Sequence, residues 1–174
     1  MRNRGFTIVE SLVAISILVV TITSTSLAVR TAVSSYILSK DQVVAFYLAQ
    51  EGIEQIRNLR DQNYLTHANW LSGISELNDE PCYFGSPCTV DPVATTALMP
   101  CNGVCPRLKQ DPVTGFFGYN LGGQNPDWPE TIFRRTLGIS EVNPNEIVVS
   151  ATIDWSKGLI TRQFKAQVNL LNWQ

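Results

Sequence analysis

Residues 1–20 read MRNRGFTIVESLVAISILVV, and the position of one glutamate, Glu10, in this apolar run decides what kind of chain follows. A carboxylate inside a bilayer is expensive, and a chain that keeps one there usually needs it. Between Phe6 and Val29 Glu10 is the only charged residue. At about 1.5 Å per residue, a helix of that length rises roughly 36 Å, enough to cross a hydrocarbon core of about 30 Å. Arg2 and Arg4 precede the run, which predicts a cytoplasmic N-terminus and an external location for the rest. A removed signal peptide would end in an A-x-A-like site after a shorter apolar core. Ser26-Leu27-Ala28 is the nearest candidate and a poor one.

The same helix is predicted to continue beyond the membrane. No Gly or Pro occurs from Phe6 through Glu51. Val29, Val33, Ile37, Val44, Leu48, Gly52, Ile56 and Leu59 recur at the spacing of one amphipathic stripe. Lys40, Asp41, Gln42, Gln50, Glu54, Gln55 and Arg57 occupy other positions. Gly52 lies on the stripe, where the missing side chain lets another element approach closely. Arg57 and Arg60 suit the negative end of a helix expected to stop near Arg60. Such a helix, about 80 Å long, does not fit inside a small globule. Half in the membrane and half packed on an external domain is the simplest arrangement.

The remaining chain divides by composition. Eight of the nine prolines lie between Pro81 and Pro129, and all four cysteines between Cys82 and Cys105. Proline and glycine at this density interrupt both helix and strand periods. The cysteines read C-x5-C-x12-C-x3-C. Zinc sites favour C-x2-4-C pairs, which only the last spacing satisfies. An external, oxidising location and an even count favour two disulfides. Three connectivities exist, and the short-range one, Cys82–Cys88 with Cys101–Cys105, is preferred. Further on, IVVSATIDW alternates: Ile147, Val149, Ala151, Ile153 and Trp155 share one face. ITRQFKAQVNLL likewise places Phe164, Ala166, Val168 and Leu170 together. TIFRRTLGI is a noisier third strand, with Phe133, Leu137 and Ile139 on one face and Arg135 interrupting it. Asn143-Pro144-Asn145 and Ser156-Lys157-Gly158 are turn material. GFFGYN, at Gly115 to Asn120, is a candidate for the start of the sheet. An antiparallel sheet with one polar face needs cover on the other, and the helix stripe supplies it.

Chemistry is sparse. His67 is the only histidine, with no partner suggested by spacing, and reads as a surface residue. Phosphate-binding glycine motifs are absent, and Glu51 and Glu54 read as a solvated helix face beside Arg57. No catalytic residue, cofactor or metal ligand is expected, and the chain is not read as an enzyme. A net charge of −2, with basic residues not clustered among aromatics, gives no signal for nucleic-acid binding.

RGFTIVESLVAISIL, Arg4 to Leu18, resembles the N-terminal signature of the type IV prepilin and pseudopilin family; ESLVA, Glu10 to Ala14, is most similar to V-type minor pilins. The resemblance implies a basic leader, Met1 to Gly5, cut between Gly5 and Phe6 by a prepilin peptidase. It implies N-methylation of Phe6 and a role in assembly for Glu10, four residues beyond the new terminus. Its implied partners are the prepilin peptidase/methyltransferase, other pilin subunits, the pilus assembly platform and the membrane. It implies a minor structural subunit, held single-pass in the cytoplasmic membrane and then assembled into an extracellular pilus or pseudopilus. The alternatives are a pseudopilin of type II secretion or competence and a tip pilin for adhesion or DNA capture. One tip pseudopilin of type II secretion lacks the glutamate, so Glu10 argues against that role. Many major pilins carry a proline late in the membrane segment; here that region reads VVTITSTSLAV, Val19 to Val29.

In a bilayer a lone carboxylate is neutral or paired. In a filament of packed helices, a neighbour's N-terminal amine can pair with Glu10, and misplacing either charge is costly, so the pair would fix register. The plainer alternative is a glutamate that only reaches back to the headgroups. The expected fold is α+β and pilin-like, a long helix packed on a C-terminal antiparallel sheet with a cysteine-stapled irregular middle. Its expected segments are the leader 1–5, the membrane half-helix 6–29, the amphipathic half-helix 30–62, the loop region 63–130 and the sheet 131–174.

Overall fold

A computed structural model of the chain describes residues 7–93, 98–119 and 128–172. The chain divides into two compact units, residues 1–42 and 43–174. A single helix, α1, spans Ile8–Leu65. In the first unit every described residue after Thr7 is helical.

The second unit contains the last turns of α1 and a sheet of seven strands among the described residues. The strands are β1 (Cys88–Val90), β2 (Leu98–Pro100), β3 (Arg107–Gln110), β4 (Phe117–Gly118), β5 (Glu130–Asn143), β6 (Glu146–Lys157) and β7 (Ile160–Leu171). All pairings are antiparallel. β5, β6 and β7 form a meander in continuous register from Phe133↔Trp155 to Ile147↔Leu170. The other edge of β5 is shared: β3 pairs with its first half, and β1 joins at Leu137. β2 and β4 extend these two branches outward. The proline-rich middle therefore contributes four short strands between its turns. They are too short to show a period, and β5 holds them in place.

The meander strands alternate as their sequences predict. Ile147, Val149, Ala151, Ile153 and Trp155 of β6 are buried, as are Phe133, Leu137 and Ile139 of β5. Phe164, Ala166 and Val168 of the edge strand β7 are half-buried, and Leu170 is buried. The helix covers this face with Ala45, Leu48, Ala49, Gly52, Ile53, Ile56 and Arg60. The buried stripe is thus rotated from the predicted one. Leu48, Gly52 and Ile56 are common to both, Val44 and Leu59 fall to its edges, and Val29 and Val33 are exposed. Close packing at Gly52 sets the phase, drawing the small residues Ala45 and Ala49 to the centre.

Arg135 does not interrupt the inward face of β5; it lies on it, fully buried. Its guanidinium donates to Glu51 Oε2 at 2.7 Å, to the Leu48 carbonyl at 3.2 Å and to the Val90 carbonyl at 2.6 Å. One side chain thereby ties α1, β1 and β5 together. Nearby, Thr89 Oγ1 and the Tyr119 hydroxyl share a buried hydrogen bond of 2.7 Å. Asp91, also buried, accepts the Tyr119 N–H at 3.0 Å.

The helix stops at Leu65, not near Arg60. Arg57 pairs with Glu54, while Arg60 pairs with Asp61 and donates to the Leu171 carbonyl at 3.4 Å. Neither lies in the last turn. The stop is made by His67, the only non-glycine residue at positive φ (55°) among the described residues. The Ala68 N–H donates to the Asn63 carbonyl and the His67 N–H to the Tyr64 carbonyl, at 2.9 and 3.2 Å. These are the two bonds of a Schellman cap, with His67 where glycine is usual.

Candidate functional site

The N-terminal end of α1 is organised by Thr7. Its hydroxyl oxygen accepts the Glu10 N–H at 3.3 Å, and its carbonyl accepts the Ser11 N–H at 3.2 Å. Thr7 is therefore the N-cap and Glu10 the third helical residue, the T-x-x-E spacing of a capping box. A carboxylate in the first turn is also favoured by the positive end of the helix dipole. Sequence reasoning singled out Glu10 but missed Thr7, although the spacing alone signals the cap. Glu10 is exposed on the helix surface. Gly5 and Phe6, the expected cleavage and methylation positions, lie outside the described residues.

Beyond the cap, α1 is long and apolar enough to cross a membrane, with a mean hydropathy of 2.3 over 18 residues and none of that window buried. The hydroxyl-rich stretch within it does not break the helix. Ser16, Thr21, Thr23, Ser24, Thr25 and Ser26 each donate to a carbonyl three or four residues earlier, at 2.7–3.0 Å. Hydroxyls satisfied within their own helix remove most of the penalty for placing them in an apolar medium. The segment thus stays helical without exposing unpaired polar groups.

The four cysteines form two disulfides, Cys82–Cys88 and Cys101–Cys105, with Cα–Cα separations of 5.1 and 4.8 Å. The first anchors the chain between helix and sheet to β1. The second closes a small loop just before β3. Half-buried Asp111, in the turn after β3, has its pKa held below the usual carboxylate value by hydrogen bonds from the Thr114 hydroxyl and the Val113 N–H. Burial raises the Tyr119 phenol above its ordinary pKa, against the lowering influence of its Thr89 hydrogen bond. Among the described residues, no group of three His, Cys, Asp or Glu side chains could hold a metal ion.

Residues 1–26 match the family described as "Prokaryotic N-terminal methylation motif". The match contains the capped helix start, Glu10 and the first part of the apolar run. The chain thus carries a prepilin-type motif on a long N-terminal apolar helix, consistent with a member of the type IV pilin family. The motif supports a pilin- or pseudopilin-type precursor, and proteins with it are structural subunits rather than enzymes. It implies processing by a prepilin peptidase, membrane insertion and assembly with other pilins. Neither curated proteins nor solved structures give a match.

Proposed function

We propose that the chain is a minor structural subunit of a type IV pilus. The observation that carries this reading is the prepilin-type motif at residues 1–26, with Glu10 exposed in the first turn of an apolar helix. The leader Met1–Gly5 stays cytoplasmic, residues 6–29 span the membrane once, and the folded unit lies outside. Cleavage between Gly5 and Phe6 creates a new terminal amine, and Phe6 is then N-methylated. This maturation leaves Thr7, the helix cap, as the second residue of the mature chain.

In the membrane before assembly, Glu10 is neutral or reaches the interface. In the filament it pairs with the Phe6 amine of a neighbouring subunit, and an incorrectly stepped subunit leaves a bare charge in a low-dielectric core. Ile8, Val9, Leu12 and Val13, all exposed, supply apolar surface around that pair. Breaking a buried pair from one side costs about 3–5 kcal/mol, enough to exclude a subunit from a repeating lattice.

Glu10→Ala and Glu10→Gln test this. Both variants should insert and lose the leader, accumulate in the membrane and be depleted from sheared filaments, Ala at least as strongly as Gln. Entry of both into filaments at wild-type level would show that the carboxylate does not set register.

A further inference from the structure

The last turn of α1 borders a cleft of about 500 Å³, lined by Tyr64, His67, Asn69, Trp70, Pro144 and Asn172. A smaller hollow of about 200 Å³ shares Tyr64, Trp70 and Asn172 and adds Arg60, Asp61 and Leu65. All of these residues belong to the second compact unit. Small-molecule sites are commonly of this size, with aromatic walls and a few polar groups that fix orientation.

The walls are held from behind. Asn63 Nδ2 donates to the Trp70 and Ser72 carbonyls at 3.3 and 2.7 Å, which ties the segment carrying Trp70 to α1. Asn69 Oδ1 accepts the Leu71 N–H at 3.0 Å. The Asn172 N–H donates to the Asn145 carbonyl at 2.9 Å, fixing the chain after β7 to the turn that contains Pro144. A site ordered before its ligand arrives loses less freedom on binding. The functional atoms of the walls are uncommitted. Among the described residues, no hydrogen bond engages the Tyr64 hydroxyl, the His67 ring or the Trp70 indole N–H, and no other ring packs on Tyr64 or Trp70. Arg60 and Asp61 bond to each other at 2.7 Å, so the smaller hollow carries no unpaired charge.

His67 is an independent observation. It occupies the left-handed position of the helix cap, where glycine sits without strain. The cap needs no side chain there, yet the residue present adds an imidazole to the cleft. Backbone strain is retained most often at ligand and active sites.

We propose that this cleft binds a neutral hexopyranoside, as a terminal sugar or a link in a glycan chain. Tyr64 and Trp70 take the C–H face of the sugar ring, and the His67 imidazole, the Tyr64 hydroxyl and the Asn69 amide N–H groups bond to its hydroxyls. An apolar ligand would leave those polar atoms buried and unpaired, and an anion would find no unpaired guanidinium or ammonium. The site does not depend on the pilus reading.

The test uses the full chain in nanodiscs of phosphatidylethanolamine and phosphatidylglycerol, lipids that carry no sugar. Labelling with 5-fluorotryptophan gives one fluorine signal for each of the four tryptophans, and Trp70→Phe assigns that of Trp70. Methyl glycosides of glucose, galactose, mannose and N-acetylglucosamine are titrated into the millimolar range, beside glucuronate and adenosine monophosphate. At least one neutral glycoside should shift the Trp70 signal saturably and leave that of Trp155, buried in β6, in place. His67→Gly should weaken this binding about ten-fold, the loss of a well-made hydrogen bond, with a thermal midpoint at or above wild type. No saturable shift with any neutral glycoside, or a response to glucuronate or the nucleotide alone, overturns the proposal. Equal shifts at Trp70 and Trp155, or unchanged affinity in His67→Gly, put the sugar elsewhere and overturn the site.

Discussion

Gly52 of α1 lies directly against Leu137 of β5: a Cβ built on Gly52 would stand 2.9 Å from Leu137 Cδ2 and 3.1 Å from Arg135 Cδ. Both neighbours are fully buried, so neither has space into which to retreat. Gly52→Ala gains about 1 kcal/mol of helix propensity, but overpacking a tight core costs about 1–3 kcal/mol. We expect a net loss of stability, read as a lower denaturation midpoint. A midpoint at or above wild type would mean that helix and sheet separate easily.

Arg135 and Glu51 form an asymmetric pair. The Arg135 side chain is fully buried, while that of Glu51 is 37% exposed. Arg135→Met removes a buried charge and leaves a carboxylate that water can reach. Glu51→Ala strands a buried guanidinium, at about 3 kcal/mol or more. Chemical denaturation should therefore rank Glu51→Ala as the more damaging change, and the reverse order would show that the two carbonyl partners of Arg135 suffice to hold it.

Tyr119 makes stability depend on alkaline pH. Its folded pKa is raised, so the folded state disfavours the phenolate. The associated stability is fully present below the unfolded pKa of about 10 and declines as pH rises from there through the folded value. The midpoint should fall above about pH 10, and Tyr119→Phe should flatten that fall while lowering the midpoint at neutral pH through loss of the Thr89 hydrogen bond. An unchanged alkaline fall in the variant would assign it to other groups.

His67 caps α1 in a left-handed conformation that costs an L-residue about 1–2 kcal/mol. His67→Gly should raise the thermal midpoint and His67→Ile should lower it, both measured on the detergent-solubilised chain. Equal midpoints for the three proteins would show that the cap does not limit stability.

The parts of this fold legible in the sequence are those with a local period or a compact motif. The alternation of Ile147 to Trp155 needed only neighbouring residues, and so did the apolar run around Glu10. The phase of the helix stripe was less legible, because Gly52 selects it through contact with Leu137, a residue far away in the chain. Arg135 looked like a flaw in its strand because its partners, Leu48, Glu51 and Val90, come from two other elements. Of the short strands only β4 lies in a stretch the sequence marks as sheet, Gly115 to Asn120; β1 to β3 carry no signal of their own, and at two to four residues each, all four depend on pairing with β5 or with one another. At the N-terminus the glutamate stands out as the one charge in an apolar run, whereas Thr7 has no such contrast and its role as cap lies in the bond it accepts from the Glu10 N–H.

Maturation is the step on which the whole functional account depends, and intact mass with N-terminal sequencing of the membrane-extracted protein tests it directly. In cells with an active prepilin peptidase, we predict a chain lacking Met1–Gly5, beginning at Phe6 and carrying one added methyl group on that residue. A full-length mass retaining Met1–Gly5, or a terminus elsewhere, would contradict it.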